Sequence, residues 1–343
     1  MNVRIVAADA LAAPDLARWS ELQRAKALYR SPFFRPEFAL AVARVRDVRV
    51  AVVEDAGSVA GFFAFEAGRL GHGRPAGRPF SDYHGPVLDD DAAIDARALV
   101  RASGLATWSF DHLPAGIASF APHVWDQGAS PLLDLAEGFD LQAAGGRAPS
   151  DVRGAQRKAR KLAREIGPLR FVAQSDDPAL LAQTIAWKRQ QYAATGVTDV
   201  LADAGGRELL GHVHAARAIE FAGVLSVLYA GDEVAALHLG LRADGVLHSW
   251  FPAYNSDLHR YSPGLVLLLE LAAAAPELGI RELDFGKGEA RYKQALATGT
   301  VPLHEGCVGA RPLSALPIRL GASARRAVRA AGVHRAARRA LRR

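Results

Sequence analysis

The sequence predicts an α/β (α+β) protein of two domains, each with a mostly antiparallel mixed sheet flanked by helices. The chain has 343 residues, which is long for one domain and comfortable for two. Hydrophobic residues make up 50% and charged residues 23%, so both halves can bury a core. In each half, helical segments come first and β-rich runs follow, an order that predicts antiparallel pairing.

The first half begins with two predicted helices, near residues 14–28 and 36–45. Two β-rich runs, "VRVAVVE" and "SVAGFFAFE", flank the Asp-Ala-Gly turn at 55–57, and this arrangement predicts a hairpin. The acidic run at 89–91 is interpreted as a helix start. Strands are then predicted at "TWSFDHL" and "PLLDL".

A basic helix is predicted to link the two domains. The segment "DVRGAQRKARKLARE" has helical spacing, an acidic start and six basic side chains. The expected boundaries are an N-terminal domain at 1–148, the linker helix at 149–166, a C-terminal domain at 167–311 and an arginine-rich tail at 312–343.

The second half repeats the order of the first. The strand "LRFVAQ" precedes helices near 177–195 and 206–221, and the strands "GVLSVLYA", "EVAALHLGLR" and "VLHSWFPAY" follow. Short Gly/Asp turns between these strands predict an antiparallel meander. An apolar helix near 263–275, the strand "RELDF", a short helix at "ARYKQAL" and the strand "VPLHEGCVGA" complete the domain.

The positive charge of the chain is confined to its C-terminal end. The formal net charge is +6, but residues 311–343 hold ten arginines and no acid, so the rest of the chain has a net charge of −4. Apolar side chains at helical spacing in 320–343 predict a weakly amphipathic helix. This tail is either a solvated segment or a contact with acidic lipid or nucleic acid.

The cellular location is inferred from what the sequence lacks. Cys307 is the only cysteine, which excludes an internal disulfide and suits a reducing cytosol. No apolar run approaches the roughly 18–20 residues that span a bilayer, and the N-terminus lacks a secretory signal. We expect a cytoplasmic protein, with a peripheral position at the inner membrane as the alternative that the tail allows.

Residues that can carry chemistry are concentrated between Tyr254 and Lys293. Ser262 and Pro263 open the apolar helix directly after a strand, where both residue types favour a helix start. Such a start offers backbone amides and a positive dipole end to an anion, with Arg260 alongside. The plainer interpretation is that the two residues only cap a core helix.

The strand end at Asp284 leads into the glycine-hinged loop "DFGKG", and Tyr292 and Lys293 begin the next helix. Strand ends and the loops after them are where functional sites are usually built. His238 lies mid-strand between apolar neighbours, so it is either a satisfied core histidine or a proton carrier.

The motifs "SPFFRPEFALAV", "FSDYHGPV" and "YSPG…DFGKGEARYK" occur in this order along the chain. Together with the order of the elements, they resemble the acyltransferase domain of the GNAT superfamily. The pattern is most similar to its two-domain CelD/BcsL-like branch, which is related to the FemAB aminoacyltransferases. The resemblance spans about residues 30–310, leaves the tail uncovered, and implies two tandem GNAT-like domains.

The resemblance also implies site residues. The loop 259–264 corresponds to the superfamily's pyrophosphate-binding turn, although proline and glycine stand here where two glycines are usual. The implied cofactor-binding residues are His259, Arg260, Ser262 and Gly264. The "FSDYHGPV" loop would face the cleft, and the predicted substrate-binding residues are Asp82, Tyr83, His84, Trp187 and Tyr254. For Asp82, a self-satisfied Asx turn is the alternative.

The predicted catalytic residues are His238, Asp284, Tyr292 and Lys293. In acyl transfer, His238 or Asp284 would accept a proton from the nucleophile, Tyr292 would protonate the departing thiolate, and Lys293 would stabilise negative charge. The strand at 235–239 would supply the amide that binds the oxyanion.

Three functions remain open. The first is an acyl-CoA-dependent N- or O-acyltransferase that uses acetyl-CoA or another acyl-CoA and acts on a sugar or amino-sugar precursor of cellulose, exopolysaccharide or cell envelope. The second is a FemAB-like aminoacyltransferase that draws on charged tRNA, with the basic helix and the tail as RNA contacts. The third is a non-catalytic accessory protein of a polysaccharide synthase. Binding through many arginine–phosphate contacts would weaken steeply with salt, whereas a coenzyme A pocket would respond little.

Other chemistries lack their motifs. There is no His-Glu-x-x-His, and His212 and His214 are two apart on a predicted helix, so no metal is expected. A Gly-x-Ser-x-Gly elbow and a dinucleotide-binding glycine pattern are absent as well. The identity of the acceptor and the oligomeric state do not follow from the sequence.

Overall fold

A computed structural model describes residues 2–55, 57–89, 94–139 and 150–324. The helices are α1 (Ala13–Ala25), α2 (Pro36–Ala43), α3 (Ala96–Ala102), α4 (Ser150–Glu165), α5 (Pro178–Thr195), α6 (Ala204–Ala215), α7 (Pro263–Ala273) and α8 (Arg291–Leu296). The strands are β1 (Asn2–Ala7), β2 (Arg49–Asp55), β3 (Ser58–Ala67), β4 (His72–Pro75), β5 (Val87–Leu88), β6 (Thr107–Pro114), β7 (Val124–Asp134), β8 (Leu169–Val172), β9 (Ala222–Ala230), β10 (Glu233–Ala243), β11 (Val246–Tyr254), β12 (Glu282–Asp284) and β13 (Gly299–Gly309).

The mixed α/β class, with mostly antiparallel strands flanked by helices, is confirmed. The hairpin forms between β2 and β3, and the meander forms from β9, β10 and β11. The helix start predicted at 89–91 falls mostly on residues that the structure does not describe; the described helix α3 begins after Asp95, whose carboxylate accepts the N–H of Ala98 at 2.7 Å. Residues 90–93 lie outside the described part of the chain.

The two predicted sheets are joined into one, which corrects the expectation of separate sheets. The strand order is β1-β2-β3-β4-β6-β13-β7-β12-β11-β10-β9-β8, with β5 paired to β3. The connection is made by β12, which pairs antiparallel with β7 on one edge and parallel with β11 on the other. A strand of three residues satisfies backbone groups of both halves, so neither sheet ends at the junction.

The last strand, β13, crosses back into the first half of the chain. The sequence assigned it to the C-terminal domain at 167–311, but it lies between β6 and β7 and pairs antiparallel with both. Pairing of segments so far apart depends on tertiary packing, which the local pattern does not contain. The N-terminal half of the sheet is therefore completed by residues from the end of the chain.

The helix predicted as a linker is present as α4, and it packs onto the C-terminal half. Leu162 is buried with Tyr261 and Val266, and Ala155 is buried with residues of α7. Its apolar side thus covers the start of α7, and its basic side chains lie near that helix start.

Aromatic contacts join the halves above β11. The indole N–H of Trp250 donates to the carbonyl oxygen of Phe80 at 2.8 Å, and the ring of Phe33 stands edge-on to that of His248 with centroids 4.9 Å apart. The "FSDYHGPV" loop is thereby held against β11 and β12. Among the described helices, none has the length and apolar character needed to cross a membrane.

The amphipathic helix predicted for the tail lies mostly outside the described residues. Residues 316–324 are helical. The remainder of the predicted segment, 325–343, is not described.

Candidate functional site

A cavity of about 350 Å³ lies where the end of β11, the start of α7, α5 and α8 meet. Side chains of α7, including Leu265 and Leu268, give part of its lining an apolar character. A mainly apolar pocket with a few polar groups is the usual form of a small-molecule site. The predicted site residues that line it are Tyr254, His259, Ser262, Gly264 and Tyr292.

The cavity exists because β11 and β12 separate. They pair only between residues 246–248 and 282–284, and β11 then continues alone along that edge to Tyr254. The N–H of Asn255 donates to the carbonyl of Ala235 on β10 at 3.0 Å. Since backbone groups alternate in direction along an antiparallel strand, the N–H of Tyr254 points away from β10 and toward the cavity.

This geometry disfavours the strand predicted to supply the oxyanion-binding amide. The stretch 235–239 lies on β10, which pairs with β9 on one edge and with β11 on the other. The backbone N–H groups of this stretch are therefore taken up by pairing within the sheet. The amide of Tyr254, on the open edge of β11, has the direction that an oxyanion donor requires.

The start of α7 is built differently from the predicted serine cap. Ser262 has a left-handed backbone conformation, with φ of 51°, and its hydroxyl makes no capping bond to the helix. Instead, the hydroxyl accepts a hydrogen bond from Nζ of Lys158 on α4 at 2.8 Å. Arg260 points elsewhere, because its 61%-exposed side chain pairs with Glu165 at 3.8 Å. Lys158 thus takes the place predicted for Arg260.

A basic groove of about 500 Å³ adjoins the cavity at this helix start. It shares Ser262 and Tyr292 with the cavity, and α4 contributes Arg157 and Lys158 to it. Arg291 on α8 lines the same groove. Three cations beside a helix N-terminus form a favourable environment for phosphate groups.

A buried cluster of charged and polar side chains lies between the two halves. His248 on β11 contacts two carboxylates: its Nε2 is 2.9 Å from Oδ2 of Asp82, and its Nδ1 is 3.5 Å from Oδ1 of Asp284. Asp284 also accepts hydrogen bonds from the hydroxyls of Tyr83 at 2.6 Å and Ser130 at 2.5 Å. The "FSDYHGPV" loop therefore contacts the "DFGKG" strand end through His248.

The charges in this cluster stabilise one another. Burial opposes protonation of His248, but Asp284 and Asp82 outweigh it and raise its pKa to about 9. For Asp284, burial favours the neutral acid, but His248, Ser130 and Tyr83 lower its pKa to about 2. Asp284 is consequently an ionised, fully hydrogen-bonded carboxylate at neutral pH, and this environment disfavours the predicted role as proton acceptor.

Tyr292 lines the cavity, whereas its neighbour Lys293 contacts the "DFGKG" loop. The ammonium group of Lys293 donates to the carbonyl oxygens of Gly286 at 3.0 Å and Lys287 at 3.4 Å. Burial lowers the pKa of Lys293, while Asp82 and Asp284 oppose that shift. Burial raises the pKa of Tyr292, so its hydroxyl keeps its proton at neutral pH.

His84, His238 and Trp187 are among the predicted residues that do not line the cavity. His84 is buried and its Nε2 accepts the amides of Asp111 and His112 at 3.1 and 3.0 Å, so it organises its own loop. His238 is sealed beside Ser249 at 2.9 Å, and burial lowers its pKa to about 3. Trp187 packs against the main core. For His238, these surroundings match the interpretation as a core histidine.

Sequence reasoning missed His248 and Lys188. His248 lies in an apolar strand, and only the pairing of β11 with β12 reveals its two carboxylate partners. Lys188 is one of several polar residues on α5, and its position on the cavity wall depends on how that helix packs on β11. Within the described residues, no group of three or more His, Cys, Asp or Glu side chains could hold a metal ion.

One family model matches the part of the chain that surrounds the cavity. Residues 150–294 match the family model described as the acetyltransferase (GNAT) domain. No curated protein matches the chain. The matched segment runs from the start of α4 into α8, and it therefore contains α4, α5, β11 and α7, which surround the cavity.

Solved structures share the fold at low sequence identity. FemX superposes with a TM-score of 0.61 at 10% identity, covering 92% of this chain and 99% of FemX. A protein of unknown function from Bacteroides thetaiotaomicron superposes with a TM-score of 0.57 at 10% identity, covering 85% and 97%. The C-terminal domain of a candidate lysylphosphatidylglycerol synthetase from Agrobacterium fabrum gives 0.56 at 14% identity, covering 91% and 96%. These likenesses concern the fold alone.

Proposed function

We propose that the protein is an acyltransferase that takes its acyl group from an acyl-CoA, with acetyl-CoA as the simplest donor. One observation carries this proposal: a largely apolar cavity opens into a basic groove at the start of α7. An acyl-CoA combines an uncharged thioester arm with several phosphates, and this division matches the two parts of the site. The GNAT-type match of residues 150–294 supports the acyltransferase class.

The groove would hold the phosphates of the donor. Lys158 already donates to Ser262 at the turn before α7, so its charge lies at the positive end of that helix. Arg157 and Arg291 add two guanidinium groups along the same groove. Charge-assisted hydrogen bonds from such groups are the strong ones in phosphate recognition.

The cavity would hold the thioester. With the acyl carbonyl against the open edge of β11, the amide of Tyr254 can stabilise the negative charge that develops on its oxygen. The nucleophile forms a bond to the carbonyl carbon, the carbon–sulfur bond breaks, and the thiolate takes a proton. Tyr292 lines the cavity with its hydroxyl protonated, and it is the acid that we assign to this step.

For the acceptor, we propose an amine or hydroxyl group of a sugar or amino-sugar precursor in cellulose, exopolysaccharide or cell-envelope synthesis. The support is the resemblance of "FSDYHGPV" and "YSPG…DFGKGEARYK" to the CelD/BcsL-like branch. In the structure, Asp82 of the first motif and Asp284 of the second both contact His248.

Binding of the donor tests the proposal directly. Acetyl-CoA, longer acyl-CoAs and free coenzyme A should each raise the melting midpoint of the wild-type protein, because a ligand of the folded state stabilises it by mass action. For Lys158→Met, the ligand concentration that produces a given melting shift should be at least about tenfold higher, because the variant lacks a phosphate contact worth about 1.5–3 kcal/mol. Lys161→Met is the matched control, because Lys161 lies on the same helix and pairs with Glu165 at 3.9 Å. Absence of any shift with all three ligands would contradict the proposal.

A second candidate is transfer of an aminoacyl group from charged tRNA. Four arginines, spaced by four, three and four residues along α4, are exposed: Arg153, Arg157, Arg160 and Arg164. Such a stripe is suited to an RNA backbone, whose binding would weaken steeply with rising salt. Strong salt dependence of tRNA binding without any coenzyme A shift would favour this candidate. If neither donor bound, the accessory-protein function would remain.

We also propose that the C-terminal segment contacts an anionic membrane surface from the cytoplasmic side. Leu313, Leu316 and Leu320 are 74%, 47% and 62% exposed, and residues 311–343 carry ten arginines without an acid. Exposed leucines beside arginines are typical of interfacial helices. The protein should sediment with phosphatidylglycerol vesicles and not with phosphatidylcholine vesicles, and removal of residues 312–343 should abolish this binding.

A further inference from the structure

The cavity wall formed by α5 carries a lysine that the reaction above does not use. Nζ of Lys188 donates to the carbonyl oxygen of Pro252 at 3.2 Å. That carbonyl lies on the edge of β11 that opens into the cavity, two residues from the proposed oxyanion donor Tyr254. One turn further along α5, Nε2 of Gln191 is buried without a hydrogen-bond partner among the described residues and lines the same cavity.

The surroundings of Lys188 favour its neutral amine. Burial is the main cause that lowers its pKa to about 8, and the positive charge of Lys293 on α8 adds to it. The other titratable groups around it are His238 on β10, Tyr192 on α5, and the cavity residues Tyr254, His259 and Tyr292. Within the described residues, no carboxylate lies at ion-pair distance from Lys188 to hold its charge.

We propose that Lys188 is the general base of the reaction. The inference rests on the proposed acyl transfer and names its proton acceptor. As the nucleophilic group of the acceptor bonds to the acyl carbon and the carbon–sulfur bond breaks, its proton moves to Nζ of Lys188. The hydroxyl of Tyr292 protonates the leaving thiolate, and solvent restores both groups.

Turnover as a function of pH tests the role. Release of free thiol from acetyl-CoA with glucosamine as acceptor is measured between pH 6 and 10 for the wild type, Lys188→Met, Lys188→Arg and Arg189→Met. Wild-type turnover should rise with pH and level off above about pH 8 as Lys188 loses its proton. A missing general base typically costs a factor of about 10²–10⁴, so Lys188→Met should lose at least about a hundredfold and the inflection with it.

Lys188→Arg shows whether residue 188 must accept a proton or only carry a positive charge. A guanidinium group does not release its proton at these pH values, so Lys188→Arg should be as inactive as Lys188→Met. Near-normal turnover of Lys188→Arg would overturn the inference. Arg189→Met should behave like the wild type, because Arg189 lies on the same helix but pairs with Asp199 at 2.8 Å.

Direct titration decides the matter even if glucosamine is not accepted. The chain contains six lysines, few enough to follow by NMR after reductive ¹³C-methylation. One resonance should titrate near pH 8 in the wild type and be missing from Lys188→Met. If every lysine titrated near the ordinary value of about 10.4, the inference would fail whatever the turnover.

Donor binding distinguishes a failure of the role inferred for Lys188 from a failure of the proposed function. A melting shift with acetyl-CoA together with ordinary titration of Lys188 would remove the inference and leave the proposed function standing. Lack of an acetyl-CoA shift in the wild type would remove the proposed function, and the inference with it. Lys188→Met should keep the acetyl-CoA shift, which also shows that the variant is folded.

Discussion

At the scale of single residues, the molecule depends on a protonated imidazole held between two carboxylates. His248 is buried, and its partners Asp82 and Asp284 come from opposite halves of the chain. A buried charge is tolerated only when it is paired and hydrogen-bonded. The cluster therefore ties the "FSDYHGPV" loop to the strand that joins the two parts of the sheet.

Stability should depend on pH through His248. Because its pKa is raised to about 9 in the folded protein, its stabilising contribution is complete below about pH 6.5 and is lost as the pH rises through about 9. Asp284 acts in the opposite direction: its contribution is present above about pH 3.8 and is lost as the pH falls toward about 2. Urea unfolding at pH 6, 7.5 and 10 should show a decline of about 2–3 kcal/mol over this range.

His248→Gln should remove most of this decline and cost about 3–5 kcal/mol at pH 6, because it leaves the buried carboxylate of Asp284 and the partly buried carboxylate of Asp82 without a cation. His212→Gln on α6 serves as the control and should leave the profile unchanged. A wild-type free energy of unfolding that stays level between pH 7.5 and 10 would contradict the assignment of a charged His248.

Lys293 is predicted to lower the pKa of Lys188 and to hold the "DFGKG" loop by hydrogen bonds to its carbonyl oxygens. Lys293→Met removes two hydrogen bonds to loop carbonyls, at a cost of about 1–3 kcal/mol. It also removes the positive charge that helps to lower the pKa of Lys188, so the inflection in turnover should move to higher pH. An inflection that does not move would argue against this coupling. A loss of a hundredfold or more with no change in the inflection would instead support the charge-stabilising role first predicted for Lys293.

At the scale of elements, the site depends on two helices placed against one open strand edge. α5 brings Lys188 and Gln191 to β11, and α4 brings Arg157 and Lys158 to the start of α7. The separation of β11 from β12 leaves room for a ligand between these helices. A change that shortened or tilted α5 would displace the cavity wall while leaving the sheet intact.

The N-terminal cap of α5 gives a direct test of this dependence. The carboxylate of Asp177 accepts the N–H of Ala179 at 2.8 Å. Asp177→Ala should lower the free energy of unfolding by about 1 kcal/mol, as measured by urea denaturation. Asp232→Ala, in the turn between β9 and β10, is the control. An equal loss from both variants would show that the cap itself is not responsible.

At the scale of the whole molecule, one continuous sheet joins the two halves of the chain. β13 lies between β6 and β7, so a segment near the C-terminus supplies the shared partner of two strands from the first half. Without it, both strands would expose backbone groups, and Trp108 of the apolar core would lose its neighbour Val308 on β13. The N-terminal half is therefore not expected to fold as an independent unit.

Two truncations test separately how β13 and the arginine-rich tail contribute to stability. A chain ending at residue 298 lacks β13 and should show no cooperative melt, because unpaired buried backbone groups cost several kcal/mol in total. A chain ending at residue 317 keeps β13 and should retain its cooperative transition, since the tail has few large apolar side chains. A cooperative melt of the shorter chain, or loss of the melt in the longer one, would contradict this account of the sheet.

Local patterns were sufficient for many of the elements and for part of the site, but they did not predict β1, β4 or β5. Turn residues and alternation located the hairpin, the meander and the short strand before "DFGKG", and the Ser-Pro-Gly turn located the helix start that lines the cavity. Such features depend on a few neighbouring residues, so they can be read from the chain directly. The resemblance of the motifs to GNAT-type domains implied Tyr254, His259, Ser262 and Gly264 as site residues, and the strand-loop-helix pattern indicated Tyr292; all five line the cavity.

Pairing between distant segments decided the rest. The joining of the two sheets by β12, the return of β13 to the first half and the contact of His248 with Asp82 all link residues more than 100 positions apart. Burial then determined which ionisable groups are suited to chemistry: it lowers the pKa of Lys188, while the neighbours of Asp284 hold that carboxylate ionised. A side chain's protonation depends on its desolvation and on nearby charges, and both arise only when the chain has folded.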